Sequence, residues 1–169
     1  ADCNEYLVAM WQELQKGWIP PDFVSEEDCR DLKEQMDSKY PKHLIAFVRL
    51  GGSFGADWNG GYARNVRKDF PNAELLNSTT KSYCRQSKNN IMKQLPKLQD
   101  VKIIHSSYDE LEIPDNSIIY CDPPYEGTTS YKDKFDHNKF WEWCRDKHKE
   151  GHTVFISEYN APDDFICMW

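Results

Sequence analysis

A chain of 169 residues is long enough for a sheet covered by helices, and its 39% hydrophobic and 14% aromatic content excludes a wholly disordered polymer. The formal net charge of -7 excludes nonspecific nucleic-acid binding over the whole surface, while leaving room for a local basic patch. No apolar run reaches the roughly 18 residues that span a bilayer, and no charged-then-apolar leader opens the sequence, so the reading is a soluble, cytoplasmic protein with no membrane partner.

Residues 2–17, DCNEYLVAMWQELQKG, predict a helix. Asp2 or Asn4 is placed to cap it, Tyr6, Leu7, Met10, Trp11 and Leu14 recur at helical spacing, and Gly17 stops it. WIPPDF is a turn, and SEEDCRDLKEQMDS predicts a second helix opened by Ser25, with acidic residues in the first turn where they suit the helix dipole. HLIAFVRL is apolar enough for a buried helix or strand, and a helix is the preferred reading. The glycine-rich stretch 51–61, GGSFGADWNGG, reads as an irregular loop. Between residues 61 and 100 eight basic residues face three acidic ones, against the balance of the chain. Within that region TTKSYCRQSKNNIMKQLPKLQ predicts a helix fraying at Pro96.

VKIIH, SIIYC and HTVFIS are short β-branched runs of the kind found in buried strands. DHNKFWEWCRDKHKEG predicts an amphipathic helix capped by Asp136 and ended by Gly151. Strand, loop, strand, helix, strand points to an α/β sheet with mostly parallel strands. The six cysteines are scattered without paired spacing and read as reduced, mostly structural thiols, with no metal site implied. His105, His137 and His152 lack paired ligands and read as surface or supporting groups.

Ligands of an open parallel sheet bind beyond the carboxyl ends of its strands. Asp2, Ser106 to Asp109, Asp122, and Ser157 to Tyr159 all fall at such ends and are expected to line one crevice. Asp122-Pro123-Pro124-Tyr125 directly follows SIIYC. The prolines stiffen the backbone and donate no N–H, so the Asp122 carboxylate and the Pro123 carbonyl form a rigid pair of acceptors with the Tyr125 ring beside them. Two acceptors holding both N–H bonds of an aromatic amine orient its nitrogen and favour the positive charge that develops there, while an aromatic ring stacks on an extruded base. That chemistry suits methyl transfer to an exocyclic amine. The plainer alternative is a turn closed by an Asx-type bond.

DPPY at a strand end resembles the catalytic motif of amino-group DNA methyltransferases. ADCN near one end and VFISEYNAPDDF near the other are similar to the Dam-like adenine-specific branch, particularly its phage-encoded members. The resemblance implies a Rossmann-like S-adenosylmethionine-dependent methyltransferase sheet with an inserted helical target-recognition region. It divides the chain into catalytic parts at 1–50 and 101–169 and an insert at 51–100. It also implies S-adenosylmethionine as donor, S-adenosylhomocysteine as product, and N6 of adenine in double-stranded DNA as acceptor, with roles in restriction-modification or phage biology left open.

Residue by residue, Asp2 matches the acid that binds the donor's ribose hydroxyls, with helix capping as the alternative. Tyr108 matches a contact to the donor's adenine ring, with core packing as the alternative, and Asp122 borders the donor. Asp122, Pro123, Pro124 and Tyr125 match the motif that grips the target base. Arg64, Asn65, Arg67, Lys68, Lys81, Arg85 and Lys88 fall where the family contacts DNA, Arg64 or Asn65 being able to reach base edges. For any one of the basic residues a solvated helix face is the alternative. Tyr159 is a weaker candidate.

The family's F-x-G-x-G turn has no counterpart here, and an opening without Met gives the expectation of an internal piece of a longer chain. A non-methylating DNA-binding remnant and an amine methyltransferase acting on RNA or protein are the competing readings.

Overall fold

A computed structural model describes residues 1–53, 58–63, 83–127 and 135–168. By packing, the chain divides into two units, Ala1–Tyr108 and Asp109–Trp169.

The first unit is helical. Helix α1 spans Glu5–Gln15, and Asn4 caps it: its side-chain oxygen accepts from the backbone N–H groups of Tyr6 and Leu7. Helix α2 spans Glu26–Gln35, with Ser25 Oγ accepting from Asp28 N at 3.0 Å and three acids in the first turn. HLIAFVRL is helical, as its reading preferred, within α3, Lys42–Gly51. Helix α4, Tyr83–Gln94, runs into a 3-10 turn at Leu95–Lys97, where Pro96 was expected to fray it. Met10 and Leu14 of α1, Cys29 and Leu32 of α2, Ile45 to Val48 of α3, Cys84 of α4 and Leu95 form one buried core. A side chain buried as completely as Leu14, Ile45, Phe47 or Val48 stabilises the unit by about 1.5–3 kcal/mol.

The glycines after α3 do more than loop. Gly51 ends the helix and Gly52 caps it, and a Cβ on Gly52 would stand 2.8 Å from the Val48 carbonyl oxygen and 3.4 Å from Cys84 Sγ. The glycine at 52 thus spares the last turn of α3 a clash with its own carbonyl, while a Cβ on Gly51 would stand 3.0 Å from the Ser87 Cβ of α4. Ser53 then pairs antiparallel with Tyr62. Arg49, buried under this return, donates to the carbonyls of Trp58 at 3.0 Å and Lys33 at 3.4 Å.

VKIIH does not form the expected strand. Among the described residues it makes a single parallel bridge, His105 with Asp2, through Asp2 N to Ile104 O at 3.0 Å and Ser106 N to Asp2 O at 3.1 Å. Side-chain amides take the place of a ladder. Gln12 Nε2 donates to Ile103 O at 2.9 Å, and Gln15 Nε2 to Leu98 O at 2.5 Å and Val101 O at 2.8 Å. Carbonyls held by α1 in this way are satisfied without a neighbouring strand.

The second unit carries β1, Ile118–Cys121, and β2, Thr153–Ile156, paired in parallel with Cys121 opposite Ile156. Between them runs α5, His137–Lys149, capped by Asp136 through Lys139 N at 3.0 Å and released at Gly151, whose φ of +96 suits glycine. Phe140, Trp141 and Cys144 of α5 are buried.

The strands themselves are only half buried, against the expectation of a fully covered sheet. Ile118 is 76% and Tyr120 66% exposed, while Ile119, Cys121, Val154 and Ile156 are sheltered. The cause is the two-residue period of a strand: α5 covers one face, and alternate side chains point away from it. His152, read as a surface or supporting group, is buried, and its Nδ1 accepts the Ser117 N–H at 3.1 Å, locking the start of β1 to the start of β2. No described helix is long and apolar enough to cross a membrane.

Candidate active site

The ladder between β1 and β2 closes with Ser157 N donating to Cys121 O at 2.9 Å. Asp122 is therefore the first residue past the last strand bond, with an exposed side chain, followed by the half-buried Pro123, Pro124 and Tyr125. Neither proline has an N–H to continue the ladder, so the chain leaves the sheet here. Beneath the motif, the Cys144 thiol of α5 hydrogen-bonds to Cys121. That contact holds the Cys121 thiol below its usual range and pushes Cys144 up.

The three residues after β2 meet the motif one by one. Ser157 Oγ lies 2.8 Å from Tyr125 Oη, Glu158 Oε1 accepts the Glu126 N–H at 3.0 Å, and the Tyr159 ring stands edge-on to Tyr125 with centroids 4.9 Å apart. Tyr159 is 76% exposed, so this aromatic pair opens to solvent on one side. Glu158 Oε2, in contrast, is buried and has no hydrogen-bond partner among the described residues. Tyr159 was weakly anticipated, whereas the roles of Ser157 and Glu158 were not. The available signal was a polar triplet placed directly after a strand and opposite the motif in register.

The first unit holds the other strand-end candidates. The Asp2 bridge sets it beside His105 and Ser106, and its Oδ1 accepts Asn4 N at 2.7 Å, so it braces the entry to α1 while Asn4 does the capping. Its Oδ2 has no hydrogen-bond partner among the described residues. Tyr108 is half-buried in a turn. Asp2 and Ser106 are thus neighbours within one unit, and Asp122 and Ser157 to Tyr159 within the other.

Of the DNA-contact candidates, Arg64, Asn65, Arg67, Lys68 and Lys81 lie outside the described residues. Lys88 and Arg85 both face Asp22, at 3.0 and 3.9 Å. Among the described residues no three His, Cys, Asp or Glu side chains group to hold a metal.

The model of the D12 class N6 adenine-specific DNA methyltransferase family matches residues 71–162, more than half of the chain, and takes in β1, α5, β2 and the motif between them. None of the curated proteins matches the chain. The protein belongs to the D12 class N6 adenine-specific DNA methyltransferase family.

Proposed function

We propose that this D12-class protein transfers a methyl group from S-adenosylmethionine to N6 of adenine at specific sites in double-stranded DNA. The observation that carries the reading is the release of Asp122 to Tyr125 from the end of a parallel strand, inside the family match.

The residues divide the work as their chemistry dictates. The Asp122 carboxylate and the Pro123 carbonyl accept the two N–H bonds of the adenine amine and turn its nitrogen lone pair out of conjugation with the ring. As that nitrogen gains positive charge, Asp122 stabilises it electrostatically and receives or relays the departing proton. Tyr125 stacks on the extruded base, its tilt held by Ser157 and Tyr159.

The donor set fits S-adenosylmethionine in chemistry: Asp2 offers a carboxylate oxygen to ribose hydroxyls, and Tyr108 an aromatic face to the adenine ring. The donor, when bound, supplies an electrophilic methyl group on sulfonium sulfur. Lys81, Arg85 and Lys88 reach phosphates. For Lys88 and Arg85 this means exchanging Asp22, an exposed ion-pair partner of the kind that contributes little to stability.

The test is incubation of the chain with labelled S-adenosylmethionine and DNA lacking N6-methyladenine, followed by nucleoside analysis. Label is expected in N6-methyldeoxyadenosine, and Asp122→Ala is expected to reduce it at least about a hundredfold. Label in another nucleoside, or an unchanged rate in Asp122→Ala, contradicts the reading.

A further inference from the structure

Glu158 has no part in the mechanism above, yet one of its oxygens holds a specific backbone group. The N–H it accepts, at 3.0 Å, belongs to Glu126 and so to the peptide bond that Tyr125 itself makes. Holding that N–H restrains the peptide plane that leaves Tyr125, and with it the backbone from which the ring departs. Ser157 holds the same residue at its opposite end, through the phenol oxygen at 2.8 Å. Tyr125 is thus gripped at backbone and ring tip by consecutive residues of the segment after β2, with the Tyr159 ring against its edge.

The turn that follows gives Glu158 a reason to be there. Gly127 sits at φ +79, a left-handed conformation that suits glycine, so the chain turns directly after the peptide that Glu158 holds. The other Glu158 oxygen is buried with no hydrogen-bond partner among the described residues, so this carboxylate's hold on the turn rests on Oε1.

We propose that Glu158 is a positioning residue for the methyltransferase reaction: it fixes the Tyr125–Glu126 peptide and thereby pre-aligns the Tyr125 ring for the extruded base. This rests on the functional reading above, and its test has an arm independent of activity. Amide hydrogen exchange at Glu126 is measured by NMR in the wild-type chain, Glu158→Gln and Glu158→Ala, with methyl transfer to DNA measured in the same three proteins.

Exchange at Glu126 is expected to rise about tenfold or more in Glu158→Ala, while Glu158→Gln, which keeps a carbonyl acceptor, stays within a few-fold of wild type. The transfer rate at saturating donor is expected to fall about 10- to 100-fold in Glu158→Ala, with KM for the donor little changed and with most of the rate restored in Glu158→Gln. Unchanged Glu126 exchange in Glu158→Ala, or equal losses in the Ala and Gln variants, overturns the proposal. If wild type transfers no methyl group, the functional reading fails, while the exchange arm still decides whether Glu158 holds the peptide.

Discussion

The two units bury their apolar residues differently. In the helical unit, Leu14 and the run Ile45 to Val48 are fully sealed by three helices and α4. In the sheet unit, α5 seals one face of β1 and β2 and leaves Ile118 and Tyr120 largely in solvent. The motif emerges from the half with the smaller core, so its geometry depends on a few specific bonds: the Cys121–Ser157 ladder bond and the grip of Ser157 and Glu158 on Tyr125 and its peptide.

The largest effect that tests this contrast is on packing. Phe47→Ala in the helical unit is expected to cost about 3–5 kcal/mol of unfolding free energy, measured by urea titration. Phe140→Ala, on the sealed face of the sheet unit, should fall in the same range, and a cost under about 1 kcal/mol would show that this smaller core is not tightly packed.

A smaller effect distinguishes the units by pH. His43 packs edge-on against Trp18 at 4.6 Å, and burial holds its imidazole below the ordinary 6.5. The folded unit favours the neutral ring, so as pH falls the unfolded chain takes up the proton first. The His43 contribution to stability is full above 6.5 and is lost as pH falls through the lower folded value. Urea midpoints at pH 7.5 and 5.5 should show this loss, and His43→Gln should flatten it. An unaltered slope in the variant would place the pH sensitivity elsewhere. The smallest effect belongs to the open face: Tyr120→Thr should change stability by no more than about 0.5 kcal/mol, and a larger loss would mean that this face is covered in solution.

Most of the helices were legible because their ends carry their own chemistry. Asn4, Ser25 and Asp136 each have an oxygen to offer an unpaired N–H, and each caps its helix. β1 and β2 were legible from their β-branched residues, but VKIIH has the same composition and is not a strand. What differs is outside the run: glutamines one turn apart on α1 reach its carbonyls. Burial was misjudged for a related reason, since an apolar run does not reveal whether one face or both will be covered.

The site divides in the same way. Asp122 to Tyr125 announce themselves by residue type and order. The contribution of Glu158 depends on Cys121 pairing with Ile156, a register that brings the residues after each strand together and is not written in either segment alone.

The central claim is that the Tyr125 ring, held in place from the end of β2, stacks on the base that receives the methyl group. The most direct measurement is the rate of methyl transfer to DNA adenine by Tyr125→Phe and Tyr125→Ala beside wild type. The Phe variant keeps the ring and loses the bond to Ser157, so it should retain the rate to within about tenfold, whereas Ala should lose on the order of a hundredfold or more. An Ala variant as active as wild type would contradict the account.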